Sequence, residues 1–134
     1  MKRLILKFGG TSVGNIDKIQ KVANLIKKKH DEGNEIIVVV SAISGFTDEL
    51  IKKSQLISKN FDLAEYDVLL SSGEQISSSL LAGALIHLGM KARSWEGWQI
   101  PIITDENHTV SKIIKIRTEE ILSFISKKGI AVIA

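Results

Sequence analysis

The sequence predicts an α/β protein: a three-layer α/β/α sandwich with a mostly parallel central sheet, incomplete at the carboxyl end. Three observations carry that expectation. Residues 36–40 form an unbroken β-branched run, the pattern of a strand buried on both faces in a parallel sheet. Apolar runs alternate along the chain with stretches of helical periodicity, as helices covering such a sheet require. The last apolar run, residues 130–134, has no loop or covering helix after it. Ligand sites in these folds are built by loops beyond the carboxyl ends of strands, so a further loop and more sheet are expected past Ala134.

Residues 4–8 read as the first strand. Gly9 and Gly10 then free the backbone to turn and to approach a ligand closely. Lys7, at the strand's end, can set an ammonium over anions held by the loop's N–H groups. Fixed backbone donors beside one cation are what a polyphosphate site needs. A Walker-type loop would instead place four residues between its glycines and a lysine after the second. Taken alone, K-x-G-G reads more readily as a tight turn before a helix, with Lys7 solvated. Ile16, Ile19, Val22, Ala23 and Ile26 recur at helical spacing, with Asn15 as N-cap and Gly33 as stop.

Residues 41–47 contain Gly45 and read as a loop into a helix over 48–59. A long helix is expected over 73–88, where Ile76, Leu80, Ala84 and Leu88 stand four apart. Leu81 and Leu85 widen that stripe, and Gly89 ends it. Ser71 and Glu74, three apart at the expected helix start, form a capping box in their own right. Ser77, Ser78 and Ser79 are small helix-face residues suited to close packing. Short strands are expected at 91–93 and 100–104, and a helix over 117–128 before Gly129. Trp95 and Trp98 read as packing elements.

With 134 residues the chain is expected to be one domain, a length that buries roughly two-thirds of its unfolded surface. It is 44% hydrophobic and 25% charged, ordinary for a soluble globular protein. The net charge of +3 comes mainly from lysines near expected helix ends, where they complement the helix dipole. Aromatics are only 5% and no arginine-rich stripe exists, so the pattern argues against nucleic acid and suits acidic small molecules. The absence of cysteine removes disulfide and thiolate chemistry and fits a cytoplasmic protein. Lys7 interrupts the apolar start too early for a signal peptide, and no stretch is long enough for a membrane partner. His30, His87 and His108 show no metal-ligand spacing, and no metal site is expected.

The glycine loop K-F-G-G-T-S has company further along. Val39-Val40-Ser41-Ala42 leads to Ser44-Gly45-Phe46-Thr47-Asp48-Glu49-Leu50. Then come Ser72-Gly73-Glu74-Gln75, Trp95-Glu96-Gly97-Trp98-Gln99, and Ile103-Thr104-Asp105 with His108 nearby. In this order and spacing the set resembles the aspartate kinases of the amino-acid kinase superfamily, along the whole chain. The resemblance implies transfer of the γ-phosphoryl group of ATP, bound with Mg²⁺, to the β-carboxylate of L-aspartate. The product, aspartyl 4-phosphate, opens lysine (through diaminopimelate), threonine and methionine biosynthesis.

Physics accounts for the residue types. A carboxylate with a reference pKa of about 3.9 is ionised at neutral pH and needs no general base. The difficulty is its approach to a polyanionic nucleotide, so catalysis rests on positioning and charge neutralisation. The resemblance gives Lys7 the phosphates in the transition state, with Phe8, Gly9 and Gly10 forming the phosphate loop. It gives Thr47 and Glu74 the aspartate, Glu74 meeting its ammonium, and Ser41 the junction between substrates. At ~4 Å and an effective dielectric near 20 such an attraction is about 4 kcal/mol before desolvation.

Residues 1–134 then correspond to the amino-terminal, amino-acid-binding part of a kinase domain. A glycine-rich loop supplying most of the nucleotide pocket, and ACT regulatory domains, belong to the part such enzymes carry downstream. The expected partner is a complementary carboxyl-terminal half or another copy, and the chain alone is not expected to be competent. An unfinished sheet is expected to expose an apolar strand edge. The alternative class is a non-catalytic binding or assembly module that keeps the fold.

Overall fold

The computed structural model describes residues 2–134. Ten elements follow one another: β1 (Arg3–Phe8), α1 (Ile16–Asp31), β2 (Glu35–Val40), α2 (Phe46–Ile57), α3 (Leu63–His87), β3 (Ala92–Trp95), β4 (Ile102–Thr104), β5 (Ile113–Ile116), α4 (Glu119–Ser126) and β6 (Ile130–Ile133). Four strands form one sheet in the order β1-β2-β6-β3, every neighbouring pair parallel. The expected parallel α/β architecture is present. All four strands therefore end on the same side, and the loops after Phe8, Val40 and Trp95 share it with Ala134.

Strand periodicity divides the core in two. Ile36, Val38, Val40, Ile130 and Val132 face α1 and α3, meeting Ile19, Val22, Ala23, Ile26, Leu81 and Leu85. Ile37 and Ala131 face the other way, against Ile121 and Ile125 of α4, with Trp95 and Ile100. Both faces of β2 and β6 are thus covered, which is why they read as unbroken apolar runs. Ile26 is fully buried in the larger core. Ile26→Val, which removes one methylene, should lower unfolding stability by about 1 kcal/mol, measurable by urea titration.

The last strand does not lie at an exposed edge. β6 sits between β2 and β3, and the edges are β1 and β3. The sequence expectation of an exposed strand edge named no strand, because succession along the chain does not reveal order in a sheet.

Helix α1 matches expectation: the Asn15 side chain accepts from the Lys18 N–H at 2.9 Å, and Gly33 turns the chain at φ +87°. Helix α2 begins two residues earlier than expected, at Phe46, directly after Gly45. Helix α3 departs furthest, starting at Leu63 rather than at residue 73. Its N-cap is Asp62, whose carboxylate accepts from the Ala64 and Glu65 N–H groups. Ser71 and Glu74 are therefore mid-helix and form no capping box. Ser71 instead donates its hydroxyl to the Val68 carbonyl at 2.8 Å.

The buried face of α3 is also rotated from the expected stripe. Ser77, Ser78, Leu81, Ala82 and Leu85 are buried, whereas Ile76 and Leu80 are exposed. Strand β5 was not anticipated; it pairs antiparallel with β4 in a separate hairpin, and α4 follows it at Glu119. Among the described residues no helix is long and apolar enough to cross a membrane.

Candidate active site

The loop after β1 and the loop after β2 are built against each other. Lys7 stands opposite Val39 in the parallel register, exposed, at the carboxyl end of β1. The Phe8 ring is anchored against the larger core, which fixes where the following turn leaves the sheet. The Ser41 N–H donates to the Phe8 carbonyl at 3.2 Å, and the Ser44 N–H donates to the Gly10 carbonyl at 3.3 Å. Gly10 permits that approach. A Cβ there would lie 2.5 Å from the Ala42 carbonyl oxygen and 3.0 Å from the Ser44 nitrogen. Gly9 faces open space.

Helix α3 closes the arrangement from the other side. A Cβ at Gly73 would lie 2.8 Å from the Ala42 Cβ, so glycine brings the helix against the β2 loop. Glu74 then reaches across, its Oε1 accepting from the Ala42 N–H at 3.0 Å. The bond occupies one carboxylate oxygen and orients the group. Glu74 also lines a cleft of about 540 Å³ with Asp67, Val68, Glu96, Trp98 and Ala134, at the carboxyl ends of β3 and β6. A cleft of equal volume beside Lys91, Arg93 and Phe124 lies against α4 and shares none of these loops. Position at the strand ends, not size, makes the first the candidate.

Backbone hydrogen bonds thus tie Phe8 and Gly10 of the β1 loop to Ser41 and Ser44 of the β2 loop, Ala42 of the β2 loop bonds Glu74, and Lys7 stands at the end of β1. Thr47 is half-buried in the first turn of α2, one residue beyond Phe46, whose ring packs beneath Gly73. Of the candidate phosphate- and substrate-binding residues named from the sequence, only Glu74 lines the cleft. Lys7 and Phe8 end β1, Gly9 and Gly10 follow it, Ser41 follows β2, and Thr47 lies in α2; none of them lines the cleft.

Other polar groups at the cleft were not anticipated. Ser78 is not simply a packing residue; its hydroxyl donates to Glu96 Oε1 at 2.9 Å. The Glu96 N–H in turn donates to Gln99 Oε1 at 2.9 Å, fixing the turn after β3. Trp95 is buried as expected, but Trp98 is 66% exposed at the cleft and does not pack. Asp67 accepts from His108 and Thr109, tying the hairpin to α3. Asp67, Ser71, Glu74 and Ser78 fall at helical intervals of four, three and four, on one face of α3. That spacing is visible in the sequence once the helix is known to begin at residue 63. In the hairpin, the Asn107 N–H above all holds the Asp105 carboxyl below its ordinary pKa, and the Lys112 N–H adds to the effect.

Comparison with known proteins identifies the family and the fold. The family model described as amino acid kinase family matches residues 2–134. The aspartokinase of Rickettsia felis is 43% identical over 137 residues, covering 100% of this chain and 34% of the relative. That of Geobacillus stearothermophilus is 44% identical over 131 residues, covering 98% of this chain and 32% of the relative. The chain therefore spans about a third of the length of the curated relatives it matches.

Among solved structures, the aspartate kinase of Synechocystis superposes with a TM-score of 0.85 at 40% identity, over 100% of this chain and 22% of that one. The E. coli aspartokinase III solved with aspartate and ADP gives a TM-score of 0.77 at 15% identity, over 99% of this chain and 40% of that one. At that identity the likeness speaks for the fold alone. With its parallel sheet, its glycine turn at the end of β1 and a family match across all the described residues, the chain belongs to the amino acid kinase family.

Proposed function

We propose that this chain is the amino-acid-binding part of an aspartate kinase, and that with a carboxyl-terminal partner portion it phosphorylates the β-carboxylate of L-aspartate. The observation that carries this reading is the bond from the Ala42 N–H to Glu74. It couples the loops at the ends of β1 and β2 to a carboxylate that lines the neighbouring cleft. Aspartokinase relatives aligned along the whole chain support the substrate.

In this reading a β-carboxylate oxygen of aspartate attacks the γ-phosphorus of ATP. The bond to the β–γ bridging oxygen breaks, giving aspartyl 4-phosphate and ADP. Lys7 and the turn at Phe8, Gly9 and Gly10 face the transferring phosphoryl group. Mg²⁺ supplies further charge neutralisation on the phosphates and arrives with the nucleotide. Among the described residues no group of three or more His, Asp or Glu is placed to hold an ion. Glu74, with one oxygen fixed by Ala42, offers its other oxygen to the substrate ammonium. Ser41 and Thr47 position the reacting carboxylate from the ends of β2 and α2. The pathway is the one leading to lysine, threonine and methionine, and the compartment is the cytoplasm.

Hydroxylamine trapping of the acyl phosphate tests the reading, with this chain mixed with a separately expressed carboxyl-terminal part of an aspartokinase relative. Glu74→Gln keeps an acceptor for the Ala42 N–H but loses the charge. It should lower kcat/KM for L-aspartate by about 100-fold while leaving KM for ATP within twofold, consistent with loss of a charge-assisted hydrogen bond. An unchanged kcat/KM for aspartate would remove Glu74 from the amino-acid site.

A further inference from the structure

The β4–β5 hairpin is solvent-exposed along most of its length, yet one side chain of α3 holds its tip. Both carboxylate oxygens of Asp67 lie 3.1 Å from the Thr109 nitrogen, and its Oδ2 lies 2.8 Å from His108 Nδ1. Thr109 sits at φ +65°, in the left-handed region, which a β-branched residue occupies only under strain. Such a conformation persists where its surroundings over-determine it. Bonds within the tip shape it: Asp105 accepts from the Asn107 and Lys112 N–H groups, and Ser111 donates its hydroxyl to the Asn107 carbonyl. None of those attaches the tip to the body of the protein; Asp67 does.

Asp67 also lines the cleft, seven residues before Glu74 on the same face of α3. We infer that Asp67 is a positioning residue for the amino-acid site. It touches no reacting atom. By pinning His108 and Thr109 it holds the hairpin tip at the rim of the cleft, and the hairpin so held sets how tightly the amino acid is retained. The inference rests on the reading of the cleft as the amino-acid site. The competing role is a surface clamp that steadies the hairpin with no consequence for the substrate.

Two measurements separate these roles. On the chain alone, Asp67→Ala should speed amide hydrogen exchange at residues 105–112 about tenfold, with β2 and β6 unchanged. In the mixture with the carboxyl-terminal part, the same variant should raise KM for L-aspartate about tenfold, with kcat and KM for ATP within twofold. Asp67→Asn retains an acceptor for the Thr109 N–H and should recover most of the loss. Thr109→Gly in the Asp67→Ala background should recover part of it, because glycine adopts positive φ without strain. A hairpin that loosens while KM for aspartate stays at the wild-type value would overturn the inference and leave the kinase reading standing. No phosphoryl transfer by the wild-type mixture would overturn both.

Discussion

Lys7→Ala is expected to lower kcat for phosphoryl transfer about 1,000-fold in the reconstituted mixture while leaving the fold intact. The two halves of that statement come from the same position. Lys7 is exposed at the end of β1 and belongs to neither core, so its loss should cost almost nothing in stability. The transition state, by contrast, gathers negative charge between a carboxylate and a polyphosphate at the strand end. Removal of one pre-positioned donor from a developing anion typically costs about 100- to 1,000-fold in rate, and here the donor is also a full charge. Thermal unfolding of the variant should fall within 1–2 °C of wild type, roughly the effect of a surface change. A large fall in Tm would instead assign Lys7 a structural role.

Gly10→Ala should do the opposite, disabling the site through the fold. The added methyl would sit 2.5 Å from the Ala42 carbonyl oxygen and 3.0 Å from the Ser44 nitrogen, both backbone atoms that no rotamer change can move aside. The two loops must separate. That breaks the 3.3 Å bond from the Ser44 N–H to the Gly10 carbonyl and displaces Ala42 from Glu74. Overpacking of this kind costs about 3 kcal/mol, or roughly 10 °C in Tm for a chain of this size. Activity should be lost with it. Gly9→Ala is the control, since nothing lies within 4 Å of a Cβ there. It should keep the wild-type Tm.

Much of the architecture was legible in the sequence because each signal was local. The β-branched run of β2, the Asn15 cap and the glycine stop of α1 report nearest-neighbour physics, and the structure agrees with all three. The start of α3 was not legible, for a tertiary reason. Gly73 and the serines around it resemble a helix boundary. In the fold, however, Gly73 is the point where the helix presses against Ala42, and Ser71 and Ser72 bond back to helix carbonyls. Missing the first ten residues of α3 also hid Asp67 and its spacing from Glu74.

The placement of β6 inside the sheet, the exposure of Trp98 and the bond from Ser78 to Glu96 likewise depend on contacts between distant segments. No periodicity encodes them. Glu74 and the glycine loop were singled out by the ordered motif set. The bond from the Ala42 N–H, which ties Glu74 to the β2 loop, was visible only in three dimensions.

The most direct measurement of the central claim is formation of aspartyl hydroxamate from L-aspartate, MgATP and hydroxylamine. It compares this chain, the carboxyl-terminal part of an aspartokinase relative, and the two together. Hydroxamate should form in the mixture, at a rate that falls about 1,000-fold with Lys7→Ala. No hydroxamate from a mixture shown by native mass to have associated would contradict the account.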